Sequence, residues 1–545
     1  MAKRVFYDED ARRRVLAGAK ALCDAVKVTM GPKGRNVIVS KGFGSLTITH
    51  DGVTVAKSVD LPEADDETLG YKVGADLIKQ AANKMNDVAG DGTTTVTVLT
   101  YNILAEANKL IAAGHNPMQL RRGIEAAGIE VIVALSKMAE DIGSNQERVA
   151  EVATISAGDP EIGKLIANVI KKVGKEGVVT VEEGQSLHLE AEVVEGFTMD
   201  RGFMSAYMVT DTNRMEAVYE KPAVVITEEK IGTIQEFLPL LEKLAQSGKK
   251  DLVLVAEDLE GDAMTTLVLN KLKGVFNTVA VKAPGFGDNK KEILEDLAVL
   301  TGATVITKDQ GITFENADLN VVGSARKVIV DKDNTTIIEG AGSVADVKAR
   351  IEQIRAQIKN AKSEYDKERL EKRAAALGGK VAVIKVGGST EMQIEEEKFR
   401  VDDAVHAVKA ALEEGIVPGG GITLANLSEE IKVEGNDSVA AGRQVLKTAL
   451  LKPFYELMHN SGLNPDEWWP QIRAKKGFGV DVNNPNKLVD MKAVGIIDPA
   501  RVTKEAVQSA ISIAATATTV GALVVDVPKE ESAPAGGGMP GMGMM

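Results

Sequence analysis

The chain has 545 residues, of which 44 % are hydrophobic and 26 % charged, a balance that excludes wholesale disorder. At roughly 150 residues per domain, this length predicts three or four domains and excludes a single small module. The 79 acidic residues outnumber the 65 basic ones, and the net charge of −14 with 4 % aromatic residues argues against nucleic acid as a partner.

The first hundred residues alternate regular segments with tight turns. Between residues 8 and 30, apolar or small residues recur at every third or fourth position, which predicts a helix that Gly31-Pro32 ends. Two runs rich in β-branched residues, 37–39 and 46–49, predict strands. Asp51-Gly52, followed by a further β-branched run, predicts a hairpin turn.

The turn Gly90-Asp91-Gly92 is the sharpest local signal. It follows an amphipathic helix predicted over residues 69–88 and precedes a helix that begins at Thr93. Free N–H groups at a helix start bind anions, glycines let a phosphate approach, and threonines 93–95 add hydroxyl donors. Asp91 beside a phosphate would need a cation such as Mg²⁺. An ordinary helix with Asp91 as its N-cap fits the motif equally well.

Other turns carry weaker signals of the same kind, at residues 29–34, 51–52, 402–403 and 418–421. The first two are more simply a turn and a hairpin, and the third is an acidic helix start that complements the helix dipole. Residues 418–421 are either a flexible turn or a loop that a ligand approaches closely. The sequence has no Walker P-loop and no G-x-G-x-x-G after a strand, so a nucleotide site would be of another design.

From about residue 190 to 379 the pattern changes to short strands that alternate with helices, which predicts a separate α/β domain. The strands are predicted at 223–227, 252–256, 275–281, 303–306 and 327–330. A charged helical hairpin over 344–377 closes the domain, with Ile351, Ile354 and Ile358 on one buried face. After a strand at 381–386 helices return, so the two chain ends are expected to fold together around an inserted middle.

Two helices of this middle region, 236–245 and 264–272, carry more apolar residues than a one-sided surface helix needs. Deep burial against a helix-covered sheet is the simpler explanation. The alternative is an exposed apolar docking surface.

The compartment can be inferred from several negative features. Residues 507–525 lack formal charge but are rich in alanine, serine and threonine, which favours a helix buried among helices over a membrane span. Cys23 is the only cysteine, the five histidines lack zinc-like spacing, and residues 1–14 lack the apolar core of a secretory signal. A reducing, cytoplasmic location without a membrane span is expected. The glycine-methionine-rich residues 529–545 are expected to form a flexible tail.

Over essentially its whole length, the chain resembles the group I chaperonins, the bacterial GroEL and mitochondrial Hsp60 type. Residues 410–421 (AALEEGIVPGGG) fit the family signature A-[AS]-x-[DEQ]-E-x4-G-G-[GA]. Supporting matches are DAVKVTMGPKGRNV at 24–37, AGDGTTT at 89–95, VKAPGFGD at 281–288, TTIIEGAG at 335–342 and the glycine-methionine tail.

The resemblance implies a multidomain α+β and α/β fold. A mainly helical equatorial domain and a small α/β intermediate domain are each discontinuous, and an α/β apical domain is inserted between their halves. The boundaries expected are 1–137 and 414–528 for the equatorial domain, 138–194 and 382–413 for the intermediate domain, and 195–381 for the apical domain.

The resemblance also implies ATP with Mg²⁺ as ligands, and K⁺ as a further cation. Asp91 is expected to hold Mg²⁺, Asp51 to lie near the γ-phosphate, and Asp403 to orient the attacking water. The residues expected to contact the nucleotide are Thr29, Met30, Gly31, Pro32, His50, Asp91, Gly92, Thr93, Thr94, Thr95, Gly420, Gly479, Val480, Asp481 and Asp498.

In the apical domain, the resemblance implies a surface that binds unfolded polypeptide and a small co-chaperonin lid of the GroES or Hsp10 type. The residues concerned are Phe203, Tyr207, Met208, Leu238, Leu241, Met264, Val268, Leu269 and the polar neighbour Asn270. Flexible methionine side chains suit partners that share no sequence. Seven-membered rings, usually stacked in pairs, are implied as the assembly.

Some positions depart from the family pattern. His50 stands where lysine is usual, Gly479 where an asparagine commonly meets the adenine, and residues 60–70 form a longer segment than usual. Trp468 and Trp469 lie in an unusual neighbouring segment.

The whole-length resemblance and the phosphate-binding motifs together predict an ATP-driven folding chaperonin. The alternative is a holdase or scaffold of the same fold with weak or lost ATP turnover.

Overall fold

The computed structural model describes residues 3–527, apart from positions 41–45, 64, 144, 176, 185, 213, 286 and 362. The predicted tail, 529–545, lies outside the described residues. The chain divides into two compact units: unit 1 combines Met1–Asn168 with Gly388–Met545, and unit 2 is the continuous stretch Val169–Gly387. The finer division into three domains stays a prediction.

The first half of unit 1 is mainly helical. Its strands are β1 (Lys3–Tyr7), β2 (Val37–Ser40) and β3 (Leu46–Thr49), and its helices are α1 (Asp8–Lys27), α2 (Gly52–Ser58), α3 (Tyr71–Ala89), α4 (Thr93–Ala112), α5 (Pro117–Met138) and α6 (Gln146–Ala157). Helix α7 (Pro160–Val173) runs across the boundary between the units. Strands β2 and β3 pair in antiparallel fashion, as their β-branched runs predict.

Unit 2 is an α/β unit. Its strands are β4 (Val178–Glu183), β5 (Glu190–Met199), β6 (Ala217–Glu220), β7 (Ala223–Ile226), β8 (Lys230–Ile231), β9 (Asp251–Ala256), β10 (Asp258–Leu259), β11 (Asn277–Lys282), β12 (Gly323–Val330), β13 (Thr335–Gly340) and β14 (Lys380–Val386). Its helices are α8 (Ile234–Gln246), α9 (Gly261–Leu272), α10 (Asp288–Thr301), α11 (Val344–Asn360) and α12 (Glu364–Leu377). A nine-stranded sheet runs β11-β9-β7-β12-β13-β5-β14-β4, with β6 paired to β12. The predicted helical hairpin is confirmed as α11 and α12, and Ile354 is its buried anchor.

The second half of unit 1 returns to helices. They are α13 (Glu391–Glu414), α14 (Ile422–Glu430), α15 (Ser438–Ala449), α16 (Lys452–Asn460), α17 (Pro465–Ala474) and α18 (Ala500–Thr518). The strands are β15 (Ile416–Pro418), β16 (Phe478–Val480), β17 (Leu488–Asp490), β18 (Ile497–Pro499) and β19 (Ala522–Asp526). Strand β19 pairs antiparallel with β1, so Lys3 lies opposite Asp526.

Helices α1 and α3 cross at very short range in the core of unit 1. A Cβ atom on Gly18 would lie 1.8 Å from the Tyr71 carbonyl oxygen, and one on Gly74 would lie 1.9 Å from the Val15 carbonyl oxygen. Glycine is therefore required at both positions. The crossing belongs to the core that α4, α5 and α18 also build from buried aliphatic side chains.

Three sequence predictions need correction. Residues 303–306 form no strand, and Ile306 makes only an isolated bridge to Thr227. The uncharged stretch 507–525 is not one helix, because α18 ends at Thr518 and residues 522–526 form β19. Asp51-Gly52 is not a hairpin turn but the start of α2. In each case a local pattern of β-branched or apolar residues fits more than one structure.

Candidate functional site

Unit 1 encloses a cavity of about 680 Å³. The turn after α1, the turn between α3 and α4, the end of α6, and parts of α13, α14 and α18 all contribute to its wall. The cavity brings together most residues that the chaperonin resemblance assigns to a nucleotide. These are Met30, Gly31, Pro32, His50, Asp51, Asp91, Gly92, Thr95, Asp403, Gly420, Val480, Asp481 and Asp498.

The α3–α4 turn opens helix α4 towards the cavity. Gly92 is the N-cap, with a φ of 81°, and no side chain caps α4. A Cβ atom at position 92 would lie 2.7 Å from Val502 Cγ1, so only glycine fits. Asp91 is therefore not the cap. Its Oδ1 accepts the Gly92 N–H at 2.5 Å, and its Oδ2 accepts the Ser156 hydroxyl at 3.3 Å.

Asp51 has a structural task that the sequence did not predict. Its Oδ1 accepts the Val53 N–H at 3.0 Å, and its Oδ2 accepts the N–H and hydroxyl of Thr54 at 2.9 and 2.6 Å. Both oxygens thus cap α2. A Cβ atom on the next residue, Gly52, would lie 2.4 Å from Thr94 Oγ1. The starts of α2 and α4 therefore lie against each other.

Of the four predicted threonines, one reaches the cavity. Thr95 lines it, whereas Thr29, Thr93 and Thr94 are not among the lining residues. The buried Thr29 hydroxyl donates to the Val26 carbonyl at 2.9 Å and lies 3.2 Å from Thr94 Oγ1. In this conformation Thr29 and Thr94 support the α4 start from behind.

Two half-buried carboxyl groups in the wall influence each other. Desolvation raises the pKa of Asp91, and the charge of Asp51 adds to this, while the hydrogen bonds from Gly92 and Ser156 oppose it. Desolvation, followed by the charge of Asp91, raises the pKa of Asp498 to about 7. The surroundings therefore disfavour the ionised form of both carboxyl groups.

The ionisable lining of the cavity as a whole is acidic. The carboxylates are Asp51, Asp91, Glu396, Asp403, Asp481 and Asp498, and the basic groups are Arg400 and His50. Arg400 is engaged, because its Nε lies 2.9 Å from Glu396 Oε1 and its Nη1 lies 3.4 Å from the Ala157 carbonyl oxygen. Such a lining repels a bare polyanion and suits one that arrives with a divalent cation.

His50 lies in the cavity wall beside Asp51. Burial lowers its pKa and is the main influence, while the charge of Glu396 raises the pKa and that of Arg400 lowers it. The imidazole is therefore largely neutral at physiological pH.

Helix α13 brings Asp403 to the cavity. Glu396, Phe399, Arg400 and Asp403 line it together, because spacings of three and four residues place them on one helical face. The neighbouring Asp402 is not a lining residue. The sequence prediction missed Arg400, although helical spacing from Asp403 could have found it.

The remaining end of the cavity is largely apolar, with Val480, Val482, Met491, Val494 and Ile496 in its wall. Gly479 does not line it. A Cβ atom there would lie 2.7 Å from both Met491 Sδ and Ile422 Cγ1, so the position faces the protein interior. The prediction also missed Ile155, Ser156 and the residues around Val494, for which no sequence motif stood out.

In unit 2, the predicted polypeptide contacts lie mainly on α8, on α9 and in the segment 203–208. Tyr207, Leu238 and Leu269 are 73 %, 43 % and 48 % exposed. Phe203, Leu241, Met264, Val268 and Asn270 are half-buried. Helix α8 is apolar on both sides, since Phe237, Leu240 and Leu244 fill the core while Leu238 faces solvent. Both explanations of its apolar excess therefore hold in part.

Met208 is an exception among these residues. Its side chain is fully buried, and its sulfur accepts the Ala280 N–H at 3.2 Å. The expectation that Met208 lies at the surface is wrong for this conformation, because the residue anchors the Tyr207 segment from below.

Two features are absent from the described part of the chain. No group of three or more histidine, cysteine, aspartate or glutamate side chains is arranged to hold a metal ion. No helix is both long and apolar enough to cross a membrane.

Comparison with known proteins gives concordant results. The model of the TCP-1/cpn60 chaperonin family matches residues 22–528. Among solved structures, the chaperonin gp146 from bacteriophage EL 2 (Pseudomonas aeruginosa), determined in the presence of ATP-BeFx, is similar with a TM-score of 0.64. It is 21 % identical, and the match covers 96 % of this chain and 99 % of that chain. The predicted fold class is confirmed, and the chain belongs to the TCP-1/cpn60 chaperonin family.

Proposed function

We propose that this chaperonin binds and hydrolyses ATP and uses the cycle to capture and release unfolded polypeptides. The observation that carries the proposal is the cavity of unit 1. It combines an uncapped helix start, the half-buried pair Asp91 and Asp498, and Asp403 on α13. An uncapped helix start binds phosphate through its N–H groups and its dipole. The phage chaperonin of the same fold was determined in the presence of ATP-BeFx.

The residues present fit Mg²⁺ as a companion of the nucleotide. Asp91 and Asp498 lie half-buried near each other, and desolvation raises the pKa of both. The described residues offer no complete protein cage for a metal. Mg²⁺ is commonly held by one or two carboxylates together with phosphate oxygens, so Asp91 is the proposed protein ligand. When bound, Mg²⁺ supplies positive charge against the phosphates. K⁺ stays a prediction without an assigned residue.

Asp403 and Asp51 have different proposed roles. Both oxygens of Asp51 already accept hydrogen bonds that cap α2, so this carboxylate is engaged in holding the helix start. Asp403 lines the cavity from α13. We assign it the orientation of the attacking water and the acceptance of its proton. Asp51 then fixes the start of α2 against Thr94 and keeps the phosphate end of the cavity in shape.

The exposed apolar residues of unit 2 are the proposed polypeptide surface. Tyr207, Leu238 and Leu269 are accessible on the outside, with Leu241, Met264 and Val268 half-buried beside them. Apolar contact without directional hydrogen bonds suits unfolded chains of any sequence. We also propose homo-oligomeric rings of seven subunits, usually stacked in pairs, a small co-chaperonin lid and a cytoplasmic location.

A second candidate is a holdase that captures polypeptide but turns ATP over slowly. The observation in its favour is His50, whose neutral imidazole adds no permanent positive charge to the cavity, while the nearby Arg400 is paired with Glu396. Steady-state ATP hydrolysis separates the two candidates.

The test uses the purified full-length protein. Phosphate release is measured with and without Mg²⁺, and capture of a chemically denatured model protein is followed by light scattering before and after ATP addition. We expect Mg²⁺-dependent turnover and release of captured protein on addition of ATP. Asp91→Asn should abolish the Mg²⁺-dependent ATP turnover. Asp76→Asn, which changes a surface carboxylate on α3, should leave that turnover intact.

Capture without turnover would identify the holdase instead. The absence of both activities would overturn the proposal. Electron microscopy of the same preparation shows whether rings form and how many subunits they contain.

A further inference from the structure

Helix α6 touches the nucleotide cavity through one face. Arg148, Glu151 and Ile155 are spaced by three and four residues, so their side chains lie on the same side of the helix. Ile155 lines the cavity, and the next residue, Ser156, donates its hydroxyl to Asp91. The position of α6 therefore affects both the wall of the cavity and the carboxylate of Asp91.

The same face of α6 holds the turn 490–496. Arg148 Nη1 donates to the Lys492 carbonyl oxygen at 2.7 Å and to Glu151 Oε2 at 2.8 Å. Lys492 Nζ donates in turn to Glu140 Oε2 at 2.9 Å. The Arg148 side chain is 24 % exposed, so its hydrogen bonds are partly shielded from water.

Glu151 adds a packing contact to the same turn. Gly495 has a φ of +75°, and a Cβ atom there would lie 2.8 Å from Glu151 Oε1. Within the turn, Asp490 Oδ1 accepts the N–H groups of Lys492 and Ala493 at 3.1 and 3.2 Å. The turn is thus internally braced, and its contacts with Arg148 and Glu151 fix where it lies.

The turn and α6 meet at the rim of the cavity. Val494 and Ile155 both line the cavity, yet they are 49 % and 42 % exposed. Because these two residues both line the cavity and face solvent, they lie at its opening. Met491 and Ile496, from the same turn, lie in the apolar wall.

We propose that Arg148 is a positioning residue for the nucleotide: by holding the Lys492 carbonyl, it keeps the turn 490–496 at the cavity rim and slows nucleotide release. The inference rests on the proposed ATP binding. It assigns Arg148 no contact with the nucleotide and no part in hydrolysis. Its effect lies in the dissociation rate, because rearranging the rim requires the partly shielded hydrogen bond to break.

The test is stopped-flow release of a fluorescent ADP analogue from the full-length protein. Arg148→Met should raise the dissociation rate about tenfold to a hundredfold, as expected for loss of a hydrogen bond from a charged donor. Arg148→Lys keeps a cationic donor and should restore most of the slow release. Arg121→Met removes a surface arginine that pairs with Glu125 on α5, away from the cavity, and should match the wild type.

The outcomes separate this inference from the proposed function. If the wild type binds no adenine nucleotide, the proposed function fails. If the wild type binds and Arg148→Met releases the analogue at the wild-type rate, only the inference fails. Failure of Arg148→Lys to restore slow release would also overturn it. Thermal unfolding of each variant identifies loss of folding, and Gly495→Ala, which pushes against Glu151 from the other side, gives an independent second variant with the same expected acceleration.

Discussion

Asp91 and Asp498 lie half-buried in one cavity wall, close enough that the charge of Asp91 helps desolvation to raise the pKa of Asp498 to about 7. Each carboxyl group loses hydration without gaining an opposite charge, which disfavours its ionised form. The pair is consistent with the proposed nucleotide that arrives with a cation.

This pair predicts an unusual pH dependence of stability. The pKa of Asp498 rises from 3.8 to about 7 on folding, so between these values the folded protein holds a proton that the unfolded chain has lost. Stability without nucleotide and Mg²⁺ should therefore fall as the pH rises through this window and level off above it. Asp498→Asn removes the titration. The melting temperature of Asp498→Asn minus that of the wild type should increase between pH 5 and roughly 7.5, as measured by scanning calorimetry.

Asp76→Asn, at the surface of α3, is the control. The melting temperature of this variant minus that of the wild type should not increase in the same way with pH. A constant difference between Asp498→Asn and the wild type at every pH would contradict the assignment.

Asp403 should matter for hydrolysis far more than for binding. Asp403→Ala is expected to reduce ATP turnover by about 10²- to 10⁴-fold, the usual contribution of a general base, while nucleotide affinity changes little. Phosphate release and equilibrium binding of a fluorescent nucleotide measure the two effects separately. Asp402→Ala is the matched control on the same helix, since Asp402 does not line the cavity. Wild-type turnover in Asp403→Ala would remove this residue from the mechanism.

His50 should limit nucleotide affinity near neutral pH. Burial lowers its pKa, so the imidazole is largely uncharged at pH 7.5, whereas a lysine there would be positive. His50→Lys is expected to tighten ATP binding about tenfold to a hundredfold, as a charged hydrogen bond would. The difference should narrow as the pH falls towards the lowered pKa of His50, because the imidazole then gains its proton. His459→Lys, at an exposed position on α16, should leave affinity unchanged. An affinity difference that ignores pH would contradict this explanation.

Leu238 should contribute to polypeptide capture without affecting ATP hydrolysis. The side chain is 43 % exposed on α8, so replacing it removes apolar surface without opening a cavity in the core. Leu238→Ser is expected to weaken capture of a denatured protein about fivefold to tenfold. Light scattering measures capture, and phosphate release measures turnover. Ile129→Ser, which removes a 65 % exposed apolar residue from α5 in unit 1, is the control. Equal losses in both variants would indicate that general surface apolarity, and not α8, governs capture.

The sequence predicted two parts of the cavity wall, the α4 start and the segment around Gly420, better than it predicted the role of Asp51. Glycines beside Asp91 and the threonines after it indicated a phosphate-binding helix start, and a family signature placed Gly420. Local pattern could not distinguish a hairpin from an N-cap at Asp51, because Asp-Gly followed by β-branched residues suits both. Tertiary packing of Gly52 against Thr94 decided the outcome.

Other parts of the site depend on contacts between distant segments and leave no local trace. Arg148 donates to the Lys492 carbonyl although the two residues are 344 positions apart in the sequence. No motif in either segment predicts this contact. Met208 shows the opposite error. A methionine beside the exposed Tyr207 fits a polypeptide-binding surface, yet its sulfur accepts the Ala280 N–H in the interior. Exposure of single residues in such a segment follows from the backbone path and not from composition.

The pairing of β1 with β19 constrains how this chain can fold during synthesis. Lys3 lies opposite Asp526, so the sheet that joins them cannot form until almost the entire chain has left the ribosome. Unit 2 is continuous in sequence and can reach its native contacts earlier. The helices before it can pack against one another, as α1 and α3 do, but the part of the core that α18 supplies stays incomplete until that helix is made. Completion of unit 1 therefore joins segments from both sides of unit 2.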